Sequence, residues 1–135
     1  MSKTIGPLLK FNKINLARVS KAIVKHLTPD LLPKKYHQKN SDNGMFGHCH
    51  TSAGTLYRVF GSQKVHMFRA LDNDTIWHWW VQDRDGNVID LTASQYAETI
   101  VRELYKKGEK AGMLGFLYRE RVRILLHRVR NELDI

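Results

Sequence analysis

The sequence predicts an α+β domain in which N-terminal helices, one of them bearing the only cysteine, pack on a small antiparallel sheet, and amphipathic helices close the chain. Three observations predict it. Apolar residues recur at helical spacing near both ends, a β-prone run broken by Asp- and Gly-containing turns occupies the middle, and the size suits one core. With 135 residues, 42% of them hydrophobic and 10% aromatic, a single domain buries roughly two-thirds of the surface its unfolded chain exposes. One cysteine excludes an internal disulfide. No run approaches the roughly 20 apolar residues that span a bilayer, and residues 1–10 have no apolar core of the kind a secretory signal needs. The expectation is a soluble, cytoplasmic protein with no membrane partner, in a reducing setting where a thiol stays free to react.

Taken in order, Leu16, Val19, Ile23 and Leu27, supported by Val24, predict an amphipathic helix over residues 13–27, ended before Thr28-Pro29. Leu31-Leu32-Pro33 reads as a short packed turn and residues 34–44 as a polar loop rich in turn formers. A helix follows over residues 49–60, with Ala53, Leu56, Tyr57 and Phe60 on one face and Gly61 as a left-handed cap. Cys49 shares that face at the helix start. Burial there disfavours a thiolate, while the unpaired N–H groups and the positive end of the helix dipole favour it. An imidazolium partner would decide for the thiolate.

Residues 64–70 and 75–82 predict two strands, turned at Asp72-Asn73-Asp74. The next turn, at Asp83-Arg84-Asp85-Gly86-Asn87, determines what can meet. A two-residue loop pairs Gln82 with Ile89 and puts His78 and Asp90 on opposite faces. A three-residue loop, Arg84-Asp85-Gly86 with Gly86 left-handed, pairs Gln82 with Val88 and Trp80 with Asp90, so that His78 and Asp90 become diagonal neighbours on one face. Thr92-Ala93-Ser94-Gln95 has the form of a capping box and predicts a helix through Tyr96, Ile100, Val101 and Leu104 that stops near Lys106-Lys107-Gly108. Residues 109–115 read as a loop. The last helix, residues 117–133, places Val122, Leu125, Leu126, Val129 and Leu133 inward and Arg121, Arg123, Arg128 and Arg130 outward.

The formal net charge of +9 is unevenly spread: nine Lys or Arg against Asp30 alone in residues 1–40, four against seven acids in residues 41–100, nine against five in residues 101–135. The centre is acidic and the ends are basic. Basic ends would attract nucleic acid or an acidic protein, with salt weakening the attraction; a solvated surface is the plainer reading.

Gly47-His48-Cys49, His78-Trp79-Trp80 and the run from Asp85-Gly86-Asn87 through Asp90-Leu91-Thr92 to Gln95-Tyr96 resemble the YunG-like family of small bacterial and phage proteins. Leu31-Leu32-Pro33-Lys34-Lys35-Tyr36 and Gly115-Phe116-Leu117 look similar too, so the likeness covers about residues 30–130. It implies a papain-like, transglutaminase-like fold, with a Cys-bearing helix against an antiparallel sheet carrying His and an acid or amide. The chain order Cys, His, Asp agrees with such a thiol enzyme.

The expected catalytic residues are therefore Cys49 as nucleophile, His78 as acid and base, Asp90 as the group that orients His78, and Asn43, six residues before Cys49, as an oxyanion donor beside the Cys49 backbone N–H, with Gln38 and Asn40 as competing amides. The expected function is a cysteine hydrolase or acyltransferase acting on an amide, isopeptide or thioester of a protein or peptide-like substrate, with no cofactor. The alternative is a non-catalytic basic module on the same scaffold that holds nucleic acid or an acidic protein. Each site residue also has a plain structural reading: a small buried Cys49, a gap-filling His78, an Asp90 that caps the strand end for Thr92, and tryptophans at 77, 79 and 80 that fill a core. His48, His50, His66 and His78 offer zinc-ligand types with Cys49, but no recognised ligand spacing joins them.

Overall fold

Helix α3 (Cys49–Phe60) is the centre of the molecule, and ten of its residues, from Cys49 through Leu56 with Val59 and Phe60, are buried. Apolar spacing alone predicts one buried face. Helices α1 (Lys13–Lys25) and α5 (Gly115–Leu133) cover the outer faces of α3, and strands lie beneath it. Its small polar residues are therefore inside, where the Thr55 hydroxyl donates to the Thr51 carbonyl at 2.8 Å. The computed structural model describes residues 7–111 and 120–135, and the backbone alone of residues 115–119. The expectations on residues 1–6, on Gly112, on the side chains of Phe116 and Leu117, and on the remainder of the predicted loop to residue 114 lie outside the described residues.

Among the described residues the remaining elements are α2 (His37–Asp42), β1 (Val65–Leu71), β2 (Trp77–Asp83), β3 (Val88–Ile89), α4 (Glu98–Lys106) and β4 (Glu109–Ala111). The strands form one antiparallel sheet in the order β3-β2-β1-β4. The α+β class predicted from the sequence is what the structure shows. Val65, Met67, Trp79 and Val81 join the α1, α3 and α5 side chains in the main core. Ala70, Trp80 and Leu104 form a smaller cluster with Phe68, Tyr96 and Tyr105, beneath α4.

Four expectations change. Within the polar loop at residues 34–44, a single helical turn at Lys34–Tyr36 leads into α2, because buried Asn40 clasps the Gly44 and Phe46 carbonyls, each at 3.0 Å, and tertiary bonding outweighs turn propensity. The capping box does not start a helix. The Thr92 hydroxyl donates to Asp90 instead, Ala93–Gln95 forms one tight turn, and α4 begins at Glu98. Residues 109–111 form β4 rather than a loop, paired with β1 at Met67, Phe68 and Arg69. Gly61 takes φ 88° and ψ 154°, an extended mirror conformation open to glycine rather than the left-handed helical one.

The turn that governs register is the three-residue one. Gly86 has φ 84°, Val81 pairs with Ile89, and Gln82 pairs with Val88. The Asp83 carboxylate holds the loop by accepting from the Asp85 and Asn87 backbone N–H groups, each at 2.9 Å.

Trp80, 1% exposed, stacks with Phe68, meets Tyr105 edge-on at 5.0 Å and lies 5.7 Å from the His78 ring. Gly108 makes room for it: a methyl there would stand 2.5 Å from Trp80 Cζ2 and 2.8 Å from Cη2. The ring is enclosed and cannot withdraw. Gly108→Ala is expected to cost about 1–3 kcal/mol, as overpacking of a filled core does. An unchanged urea midpoint would show that the ring is not held there.

Candidate active site

The site begins where β3 stops. β1 pairs with β2 at Trp77 and His78, but on the other edge β3 reaches only Val81 and no strand among the described residues continues it; the first residue of α3 lies near, with Cys49 Sγ 3.7 Å from the Trp77 carbonyl oxygen. Cys49 is 8% exposed and free of any disulfide. The N-cap residue of α3, His48, makes no side-chain capping hydrogen bond.

The register brings His78 and Asp90 together as the three-residue turn predicts. His78 Nε2 donates to Asp90 Oδ2 at 2.6 Å, with both side chains buried. Asp90 is fully engaged: Oδ2 also accepts from the Tyr105 hydroxyl at 2.6 Å, and Oδ1 accepts from the Thr92 N–H at 3.1 Å and the Thr92 hydroxyl. Its plain structural role at the strand end and its contact with the imidazole coexist, one on each oxygen. His78 lies between Trp80 and Tyr96, the latter edge-on at 4.9 Å, with the Tyr96 hydroxyl anchored on Asp72.

Burial by itself pushes the His78 imidazole down. The hydrogen bond and charge of Asp90, together with the adjacent Cys49, outweigh it and raise His78 to about 9 from an ordinary 6.5. His78 Nδ1 has no hydrogen bond. Nε2 is therefore committed to the carboxylate, and Nδ1 is the nitrogen left for chemistry.

His48 and His50 flank the cysteine and are buried at 0% and 3% exposure. Desolvation first, then the charge of Arg121, pushes both down to about 4; for His48 the charge of Asp30 opposes. His50 meets Trp79 edge-on at 4.6 Å. Among the described residues no group of three or more His, Cys, Asp or Glu is placed to hold a metal ion.

Asn43 is held elsewhere. Its Nδ2 donates to the Gln95 carbonyl at 2.9 Å, tying the α2–α3 loop to the turn after Asp90. Gln95 itself lines a cavity of about 340 Å³ that Cys49 also lines, with Tyr36, Phe46, Trp77 and Trp79 as aromatic wall and Arg69 and Arg121 as cations. The Gln95 Oε1 is buried without a hydrogen-bond partner. Gln95 was legible as the end of a capping box and as part of the family-like run, but not as a cavity residue, and Tyr105 only as a position within the predicted helix. The tryptophans divide: Trp79 and Trp80 are core, at 5% and 1% exposed, whereas Trp77 is 38% exposed on the cavity wall.

The arginines of α5 also divide. Arg123 is exposed and paired with Glu120, but Arg128 turns onto the end of α1, donating to the His26 carbonyl, to Thr28 and to Asp30, and Arg121 reaches the cavity. Of the four arginines expected outward, Arg123 and Arg130 are exposed, and Arg121 and Arg128 are partly buried. No helix among the described residues is long and apolar enough to cross a membrane.

Neither a curated protein nor a solved structure matches the chain. The family model described as YunG protein matches residues 15–134, which span all but the first two residues of α1 and every later element through α5, and the chain belongs to that family.

Proposed function

We propose that this protein is a cysteine hydrolase or acyltransferase with a papain-like, transglutaminase-like arrangement, acting on an amide, isopeptide or thioester. One observation carries the reading: a buried His78–Asp90 pair at 2.6 Å, with the open Nδ1 of the imidazole beside a thiol that lines a cavity. The Cys49 thiol gives its proton to Nδ1, and the thiolate attacks the substrate carbonyl carbon. The tetrahedral oxyanion collapses to a thioester as the imidazolium protonates the departing amine or thiol. Water or an amine, deprotonated by His78, then attacks the thioester and returns Cys49 as a thiol. Asp90 keeps the ring oriented and favours its charged form throughout.

The Cys49 backbone N–H is the first oxyanion donor. Gln95 takes the amide role expected of Asn43, whose amide nitrogen is tied to the Gln95 carbonyl by one of its two N–H groups. A turned Gln95 amide presents a donor to the cavity, and amide orientation is set by the partner it finds.

Alkylation tests the reading. A free thiol is only a few per cent thiolate at neutral pH, so pairing with an imidazolium is expected to speed iodoacetamide modification of Cys49 about tenfold over a small-molecule thiol. His78→Ala should remove the gain. Reactivity no faster than the free thiol and unchanged in His78→Ala would defeat the proposal. The single cysteine makes intact mass a sufficient readout.

A further inference from the structure

We infer that Tyr105, on α4, is a positioning residue that moderates the His78–Asp90 pair: its hydroxyl shares the carboxylate oxygen to which the imidazole donates, and so limits how firmly His78 holds its proton. The inference rests on the thiol reading above for its meaning in catalysis, where it names what tunes the acid and base. The proton balance of His78 is measurable apart from that reading.

An ionised carboxylate offers about four lone-pair sites, and Asp90 meets a donor at each. Thr92 takes Oδ1 with its N–H at 3.1 Å and its hydroxyl at 3.3 Å, while His78 Nε2 and the Tyr105 hydroxyl take Oδ2, each at 2.6 Å. The two sides act differently. Thr92 lies two residues beyond Asp90, and its local bonds fix the rotation of the carboxyl group whatever else binds it. Tyr105 comes from another element and lands on the oxygen that meets the ring. At 2.6 Å its bond is charge-assisted, roughly twice as strong as a neutral one.

The phenol is aimed. Its ring meets Trp80 edge-on at 5.0 Å, and Trp80 is itself shut in against Gly108. In the same turn of α4, Glu103 and Lys106 pair with each other in solvent, whereas Tyr105 packs on the cluster of Ala70, Trp80 and Leu104. Two donors on one oxygen draw on the same negative charge, so each weakens the bond of the other. Removing the phenol hydroxyl leaves Oδ2 to the imidazolium alone and makes His78 the stronger base. The ring is also faced by Cys49 at the start of α3 and by Tyr96, edge-on at 4.9 Å with its hydroxyl on Asp72. Tyr105→Phe alters neither, and it keeps an aromatic ring against Trp80.

Nitrogen-15 NMR titration of the His78 ring tests this in the full chain carrying Cys49→Ser, where the thiol does not titrate, with and without Tyr105→Phe. The midpoint is expected to rise by about one unit in Tyr105→Phe, a tenfold change in the ratio of charged to neutral imidazole. With Cys49 present, iodoacetamide modification at neutral pH should be severalfold faster in Tyr105→Phe, even though the protein is less stable. A phenol that only packs would lower stability and leave the midpoint unmoved, which would overturn the inference. A midpoint that falls would overturn it too, since the phenol would then support the pair. If Tyr105→Phe does not fold, the carbon-13 shift of Tyr105 Cζ in the Cys49→Ser chain gives the readout. It should move with the same midpoint as the imidazole, and a shift that ignores the imidazole would overturn the inference. A raised midpoint with slow alkylation in both proteins would uphold the role of Tyr105 and defeat the thiol reading.

Discussion

Asp90→Ala is expected to destabilise the protein by about 3–5 kcal/mol, the cost of removing one member of a buried charged pair. The lost carboxylate serves four groups at once: the His78 imidazole and the Tyr105 hydroxyl, each at 2.6 Å, and the N–H and hydroxyl of Thr92. His78 is 0% exposed, so without Asp90 its charge keeps only the adjacent Cys49 for support, and burial drives the ring toward giving up its proton. Tyr105, whose phenol burial and the Asp90 hydrogen bond hold well above its ordinary pKa, keeps a half-buried O–H with no acceptor. Asp90→Asn keeps the shape and some of the bonds and should fall between the two. Urea unfolding near neutral pH measures the difference. A loss below about 1 kcal/mol, the range of exposed pairs, would mean that the buried pair does not form.

The same substitution separates the two roles of Asp90. If it only ends the strand, Asp90→Asn should leave Cys49 reactivity where it was, because Asn can still accept from Thr92. If it orients and charges His78, iodoacetamide modification of Cys49 should slow alongside the loss of stability.

What could be read from the sequence was local. The spacing of Cys49, Ala53, Leu56 and Phe60 set the bounds of α3, and Asp85-Gly86 limited the hairpin to two turn lengths, of which the three-residue form brings His78 to Asp90. What could not be read depends on distant partners. Glu109-Lys110-Ala111 has little β propensity and is a strand only because the β1 edge is there to receive it. Asn43 stands six residues before Cys49, but its donor is taken by a carbonyl 52 residues away. Arg121 falls on the polar side of the α5 pattern, and whether that side meets water or a cavity is set by how α5 lies across α3. The His78–Asp90 contact was therefore legible as one of two registers, whereas the place of Arg121 on the cavity wall was not.

Stability is expected to peak near pH 6.5, and three buried histidines give the sign on each side. Burial holds His48 and His50 at about 4, below the ordinary 6.5. The unfolded chain takes up those two protons first, so their contribution is complete above 6.5 and is lost as pH falls toward 4. Each unit of pH removes up to about 1.4 kcal/mol per histidine, hence roughly 3 kcal/mol per unit for the pair. His78 acts in the opposite sense. Its folded value of about 9 lies above 6.5, so its contribution is complete below 6.5 and is lost as pH rises through 9, with one proton and about half the acid slope. Urea unfolding free energies measured between about pH 5 and 9 should trace an asymmetric dome, steeper on the acid side. His48 has no hydrogen bond on either ring nitrogen, so His48→Leu should flatten roughly half of the acid limb without cost at neutral pH and leave the alkaline limb intact. Asp90→Asn should do the reverse. A profile that stays level from about pH 5 to 8 would contradict the burial of all three rings. In the proposed reaction the alkaline limb bears on activity as well as stability, because the proton that His78 loses there is the one that the proposal has it donate to a leaving group.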